Sequence, residues 1–239
     1  MSSRWNTARL ALRRAGVGSL LTLTLRSGLR PFGAWQALVF FERDLSLEIP
    51  EVAAGIPLEI RVVTAGELAA YRPSLEAAGL RWDRLEARMA QGDVCTIAWS
   101  QDRLVHLSWI TIAGAWVPEL RAVLRPGPGD AYVFDAFTLP GVRGTQVQPA
   151  ASARLLSWAR DQGHRRVTFY VRGSNPSALR IVEKTRARRT GVVWCFRPGN
   201  RNGAWVIGLD SRRGPRIDFA GAAVRSLGPA GLWVRSQAR

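Results

Sequence analysis

Lysine is almost missing from this chain. Of its 34 basic residues 33 are Arg and one is Lys, at position 184. Cysteine and histidine occur twice each, as Cys95, Cys195, His106 and His164. The cysteines stand far apart in apolar runs without metal-ligand spacing, which reads as buried structural thiols, and two histidines are too few for a histidine-based metal site. No metal is expected. Long hydrophobic runs are scarce too: the N-terminal apolar stretch Gly16–Leu25 has ten residues, where a bilayer span needs about 20. No internal repeat, helix-turn-helix signature or RNA-stacking motif is present. The 13 Pro and 23 Gly are ordinary for 239 residues, which excludes wholesale disorder.

What the chain has instead is positive charge, +16 in all. Abundant Ala and Gly beside the arginines leave two sources open for the general basicity, coding bias and selection for phosphate contacts. The clustering is more specific. Between Arg143 and Arg201 twelve Arg and Lys184 face only Asp161 and Glu183, a surplus of +11 over 59 residues, against 21 basic and 16 acidic residues elsewhere. A positive field at the turns of a strand-helix unit suits a polyanion, because amides at a helix start already favour phosphate. Specific nucleic-acid binding is not expected, since net charge alone supports it.

Along its length the chain divides into three parts. Residues 1–50 read as a helical arm, with helices over Ala8–Arg14 and Ala34–Phe41. Phe40 and Phe41 dock the arm, and Glu42-Arg43-Asp44 turns it into solvent. Arg9, Arg13 and Arg14 before Gly16–Leu25 give the charge order of a secretory signal, but no small-residue cleavage site follows. Two uses of the arm remain, contact with an anionic membrane surface and packing on the main domain. The expected location is the cytoplasm, with membrane association open. Ile49-Pro50 and Ile56-Pro57 punctuate the boundary.

The main domain covers 58–209. The pattern predicts a strand at Leu58–Val63, then a helix over Gly66–Leu75 capped by Thr64 with Glu67 at its third position. A helix follows at Trp82–Met89, with Trp82, Leu85 and Met89 on one face. Val94–Trp99 and Leu104–Ala113 make a hairpin, and Trp116–Arg125 is a strand or a helical insert. Ala131–Leu139 is a strand apolar enough for burial on both faces. Gln148–Gln162 is a helix, Arg166–Val171 a strand, and Asn175–Arg186 a helix with Asn175 as cap and Pro176 in its first turn. Val192–Phe196 and Trp205–Leu209 are closing strands, and the basic tail 211–239 is loosely held. The fold class is α/β (α+β) with a mixed sheet; the antiparallel meander rules against a doubly wound fold.

Three segments in this order are similar to those of a known family. Phe134-Asp135-Ala136-Phe137-Thr138-Leu139-Pro140-Gly141-Val142-Arg143-Gly144 looks like a central strand running into a pyrophosphate loop. Pro149–Gln162 and Arg166–Val171 supply the following helix and strand. Asn175-Pro176-Ser177-Ala178-Leu179-Arg180-Ile181-Val182-Glu183-Lys184 is similar to an Asn-led helix with Glu-Lys near its end. Over about residues 58–209 the chain resembles the GNAT superfamily of N-acetyltransferases. The resemblance implies a mostly antiparallel twisted sheet flanked by helices, binding of acetyl-CoA or another acyl-CoA, and transfer to a small amine, amino sugar or cell-envelope intermediate. It implies that the backbone of Phe137, Thr138 and Leu139 aligns the pantetheine arm. It implies that Arg143, Gly144, Thr145, Gln146, Val147 and Gln148 hold the pyrophosphate, and that Asn175, with Arg180 and Lys184, completes the coenzyme contacts.

The chain departs from the family at two places. Gln146 and Gln148 stand where the loop pattern has small residues, so their side chains either obstruct the pyrophosphate or hydrogen-bond it. The family's frequent Tyr near Val182 is missing, and Arg186-Ala187 replaces the Gly-Phe that usually follows Glu-Lys.

For chemistry, acyl transfer to an amine needs a neutral amine, a positioned thioester, oxyanion stabilisation and a proton for the leaving thiolate. Asp135 is the candidate base or amine-binding anion, and alternation puts it on one face with Phe137. Glu119, on the insert, and His106, on the hairpin, are further candidates. Tyr132 and Tyr170, on flanking strands, are candidate proton donors, as is water. Trp99, Trp109, Trp116 and Trp158 fit core positions, with a Trp-lined acceptor groove as the alternative. Two other functions stay in play: a catalytically silent GNAT-like binding module and a basic nucleic-acid-binding protein.

Overall fold

The computed structural model describes residues 34–120, 122–197, 202–207, 216–218, 222–226 and 232–236. Its strands are β1 (Ala34–Asp44), β2 (Glu59–Val63), β3 (Val94–Ser100), β4 (Arg103–Thr111), β5 (Ala115–Val117), β6 (Ala122–Arg125), β7 (Asp130–Thr138), β8 (Arg166–Arg172), β9 (Arg188–Arg197), β10 (Asn202–Ile207), β11 (Arg216–Asp218), β12 (Ala222–Ser226) and β13 (Leu232–Ser236). The helices are α1 (Ala65–Leu68), α2 (Arg72–Ala77), α3 (Trp82–Ala90), α4 (Val147–Asp161) and α5 (Pro176–Lys184). Ten strands form one mixed sheet in the order β12-β13-β10-β9-β1-β8-β7-β4-β3-β2, antiparallel except between β7 and β8. A three-stranded sheet, β11-β6-β5, lies beside it.

Helices α4 and α5 cover one face. Val147, Ala150, Ala151, Leu155 and Ala159 recur at helical spacing along α4, and Leu155 and Ala159 pack on Ile110, Ala131 and Val167 of the sheet. Pro176 opens α5 in its first turn, and Asn175 Oδ1 accepts from the Ala178 amide as the sequence predicts. On the other face, Leu75 and Leu85 of α2 and α3 bury against Ile97, Leu107 and Trp109, and the small sheet covers Leu38, Phe40 and Tyr132. At the start of α1 the Thr64 amide and hydroxyl both donate to the Glu67 carboxylate, as the sequence predicts. The expected helix Gly66–Leu75 is broken into α1, a 3-10 turn at Ala69–Tyr71 and α2, where Pro73 lies within the first turn.

The arm reading fails at Ala34–Phe41. That stretch is a strand, not a helix, and it sits inside the sheet between β8 and β9, with Phe40 opposite Tyr170 and Gly191. Val39-Phe40-Phe41 is β-branched and aromatic, and both faces are covered, so packing overrides the helix-forming Ala and Leu nearby. Glu42 and Arg43 do not turn into solvent; both are buried. The expected Ala8–Arg14 helix and the Gly16–Leu25 stretch lie outside the described residues. The tail also differs from its expectation. β11 pairs with β6, and β13 bridges β10 and β12. Trp116–Arg125 is two short strands, β5 and β6, and Trp116 is exposed rather than core.

The feature that positions the site is the parallel pair. β7 and β8 are in register only at Asp130–Arg166, Ala131–Val167 and Tyr132–Thr168, after which the two strands carry no ladder between them. On its other edge β7 has a bulge: Trp109 faces Phe134 and Leu107 faces Phe137, so Asp135 and Ala136 oppose Ser108 alone. Asp135 takes a left-handed conformation there, φ 47°. The bulge breaks the alternation that put Asp135 and Phe137 on one face. It also explains why β7, expected to be buried on both faces, is exposed at Asp135 and Ala136.

Candidate functional site

A cavity of about 190 Å³ opens where β7 and β8 part. Its walls are Val133–Ala136 of β7, Phe169–Val171 of β8, one side of α4 (Gln148, Pro149, Ser152, Ala153) and one side of α5 (Ala178, Ile181, Val182). The roof is therefore built by two helices whose lining sides face the diverging strands. The unpaired backbone edges of β7 beyond Tyr132 and of β8 beyond Thr168 border the opening. Such edges can pair with an extended amide-bearing ligand as a third strand would.

The candidates fall into two groups around this opening. Asp135, Tyr170 and Gln148 all line the cavity. Glu119, from the turn between β5 and β6, reaches Tyr170: the phenol donates to Glu119 Oε2 at 3.1 Å, and Arg172 Nε donates to Oε1 at 2.6 Å. Burial, with the Glu119 carboxylate next, pushes the Tyr170 phenol well above its ordinary range. Tyr132 is pushed up the same way, by burial first and then by Tyr170 and Glu119. Both phenols stay protonated at neutral pH. Three groups named from separate segments are thus close: a buried carboxylate, a phenol that donates to it, and Asp135, whose charge acts on both tyrosines.

The structure adds Arg88 of α3, which the sequence reading missed. Its guanidinium lies 5.2 Å from the Trp109 ring and 5.1 Å from the Phe134 ring, and Nη2 donates to Asp135 Oδ2 at 2.6 Å. Asp135 is therefore held by a cation that is itself held between two aromatics. The signal was available: Arg88 follows Leu85 by three positions, next to the face that buries Leu85.

The expected pyrophosphate loop splits in use. Gly144 (φ 90°) and Gln146 (φ 63°) are both left-handed and lead into α4. Its first amides, at Val147 and Gln148, have no intrahelical partner, while Pro149 has no N–H to offer. Gln146 is exposed and is not on the cavity wall; Gln148 is. Thr145 is turned inward, its carbonyl accepting from the Gly55 amide at 2.8 Å and its hydroxyl donating to Val142 O. Arg143 Nε donates to the Thr138 carbonyl at 3.1 Å. Val147 is buried in the core rather than open to a ligand.

Phe137 and Thr138 pair with Leu107 and His106 on β4, and Leu139 donates to Val105 O, so only their opposite edge is open toward the cavity mouth. Asn175 spends its side chain on the helix cap. Arg180 is exposed on α5, and the Lys184 side chain lies outside the described part of the structure.

His106 is not at the opening. It is fully buried, its Nδ1 lies 2.8 Å from Thr138 Oγ1, and burial pushes its pKa down to about 4, so the ring is neutral. Ser108, beneath the bulge, is buried on the cavity wall with its hydroxyl unpartnered; Thr96, across from it on β3, is buried away from the cavity with its hydroxyl unpartnered too. Among the described residues no group of His, Cys, Asp and Glu is placed to hold a metal ion. No helix there is long and apolar enough to cross a membrane.

No protein-family model and no curated protein matches this sequence. Solved structures do resemble it in fold. A conserved protein of unknown function from Staphylococcus epidermidis has 11% identity and a TM-score of 0.46, over 72% of this chain and 65% of that one. A GNAT-family protein from Novosphingobium aromaticivorans has 14% identity and a TM-score of 0.46, over 68% of this chain and 63% of that one. An aminoglycoside N-acetyltransferase solved with CoA has 17% identity and a TM-score of 0.42, over 56% of this chain and 90% of that one. This chain spans just under two thirds of the length of the first two. These are likenesses of overall fold at low identity.

Proposed function

We propose that this protein is a divergent GNAT-type N-acyltransferase that uses an acyl-CoA and acylates a small amine. The observation that carries the reading is the parting of β7 and β8 after Tyr132 and Thr168, with a bulge at Asp135 and a cavity between the strands. An acyl thioester needs a slot where its pantetheine amides find backbone partners and its carbonyl meets free amides. The unpaired β7 edge and the bulge provide both. The start of α4, with two unpartnered amides and Arg143 nearby, is the candidate diphosphate contact. Thr145 and Val147, both turned inward, contribute through backbone alone.

The acceptor enters opposite the helices, toward Asp135 and the Glu119–Tyr170 pair. Asp135, exposed although Arg88 holds one of its oxygens, is the carboxylate offered to an ammonium there. In the transfer the amine loses a proton, attacks the thioester carbonyl and expels the thiolate, which takes up a proton. The oxyanion formed on the way is stabilised by amides at the bulge. Tyr170, protonated and held by Glu119, orients the acceptor through its phenolic oxygen, and water supplies the proton to the leaving sulfur. A release assay for free thiol, run with acetyl-CoA against a panel of small amines and amino sugars, tests the reading. Amine-dependent release supports it. Coenzyme binding without release for any amine favours the catalytically silent module, a reading consistent with the missing Tyr near Val182 and with Gln148 on the cavity wall.

A further inference from the structure

The cavity does not stop at the strand opening. Its lining continues beneath α4 and α5 to Ile49, Val52, Val182, Thr185 and Arg43. The walls on the way are apolar, Leu155, Leu156 and Phe169 among them. Arg43 is 2% exposed. It donates to the carbonyls of Glu48 and Arg186, and among the described residues no carboxylate forms an ion pair with it. The neighbouring Glu42 carboxylate is engaged by Arg188 and Arg166 instead. A second cation, Arg186, acts on the same spot, and Asp44 offsets it in part. A buried charge without a counter-ion is costly unless something neutralises it. Two carbonyls use part of a five-donor guanidinium and leave its charge in place.

We propose that the inner end of this cavity is a carboxylate pocket, in which Arg43 binds the terminal carboxylate of an apolar chain that enters from the strand opening. The register sets the length. Arg43 is level with Val167, which is level with Ala131, and Asp135 lies four residues further along β7. At about 3.3 Å per residue along the strands and about 4.8 Å across each of the two strand spacings, that separation is roughly 16 Å; the guanidinium stands several ångströms off its own Cα, which leaves the reach of a chain of roughly eight to ten carbons. The volume bounds the enclosed part: a 150 Å³ apolar cavity holds a benzene-sized group of six carbons, so about 190 Å³ takes about eight. Two sources present that chemistry. One is the acyl group of a dicarboxylic acyl-CoA, whose thioester stays at the bulge, and this source rests on the acyl-CoA reading above. The other is a free fatty acid lying in the cavity with its tail toward the opening.

Calorimetry on the full chain separates them. Acetyl-CoA, a decanoyl-CoA and a decanedioyl-CoA are titrated into the wild type and into Arg43→Met and Arg43→Lys, with decanoate and neutral decanamide as coenzyme-free probes. The expected result is at least about tenfold tighter binding of the dicarboxylic than of the monocarboxylic acyl-CoA in the wild type. That preference disappears in Arg43→Met and is partly kept in Arg43→Lys. Equal affinity for the two long acyl-CoAs in the wild type, with decanoate no better than decanamide, overturns the pocket while leaving acyl-CoA use intact. If no CoA ester binds but decanoate binds the wild type better than decanamide does, the carboxylate pocket stands as a fatty-acid site and the acyl-CoA reading falls. The wild-type comparisons stand even if Arg43→Met fails to fold.

Discussion

Tyr170 donates its phenolic hydrogen to buried Glu119 at 3.1 Å, across 51 positions of sequence, while Arg172 holds the other carboxylate oxygen. One β8 strand thus clamps a carboxylate from the small sheet, and the small sheet in turn holds Tyr170 at the strand opening. Glu119→Ala leaves the phenol without its acceptor and removes a charge-assisted bond, for an expected loss of about 1–3 kcal/mol. Glu119→Gln keeps an acceptor and costs less. Urea denaturation checks the order. With an acceptor amine in hand, Tyr170→Phe is expected to lower kcat/KM by roughly tenfold or more.

Arg88 gives a second prediction. Its contacts with Trp109, Phe134 and Asp135 are all lost in Arg88→Met, which retains most of the apolar stem. Asp135 is well exposed, so the ion pair itself contributes little, and the two ring contacts contribute about 0.5–1 kcal/mol each. A fall of about 1–2 kcal/mol in unfolding free energy is expected. Asp135→Asn tolerates the left-handed backbone and is expected to shift stability by less than ~1 kcal/mol. It should nonetheless raise KM for a cationic acceptor. An unchanged KM removes Asp135 from the acceptor site.

The buried His106 predicts how stability responds to acid. Its ring titrates near the ordinary histidine value when unfolded but only at about 4 when folded. Between those values the unfolded chain binds the extra proton, so stability is full above about pH 6.5 and falls as pH drops toward 4, by up to about 3 kcal/mol. Melting temperatures measured across that range in wild type and His106→Gln check it. The variant is expected to show a flatter profile, and an unchanged slope rules the ring out as the cause.

Much of the fold was legible. The helices α3, α4 and α5, the β3–β4 hairpin and the caps at Thr64 and Asn175 are local devices, written in spacing and capping residues. β1 was not, because its neighbours in the sheet, Tyr170 and Gly191, lie far away in sequence, and Ala34–Phe41 has the composition of either element. The bulge at Asp135 was equally hidden: period-2 reasoning assumes an unbroken ladder, and one extra residue reverses every face beyond it. At the site, Asp135, Tyr170 and Glu119 were named for their chemistry and lie close together, and Gln148, named from the resemblance, shares the cavity wall with Asp135 and Tyr170. Arg43 was read as a solvent turn, since its burial follows entirely from the placement of β1.

Filling the cavity from α4 gives a further test. Ala153 of α4 lines the cavity, as do Ala178 and Ile181 of α5. In a packed core an added aromatic costs about 1–3 kcal/mol. Ala153→Phe is expected to cost less than that, because the ring enters the cavity rather than packed core, and to weaken coenzyme binding at least tenfold. A large loss of stability with intact binding contradicts the cavity's assigned role.

The most direct test of the account is calorimetric titration of acetyl-CoA into the protein. A dissociation constant on the order of 1 µM, about 8 kcal/mol of binding free energy, is the predicted result, with competition by desulfo-CoA showing that the coenzyme is held without its thioester. No heat of binding at millimolar acetyl-CoA contradicts it, and the parted strands then serve some other ligand.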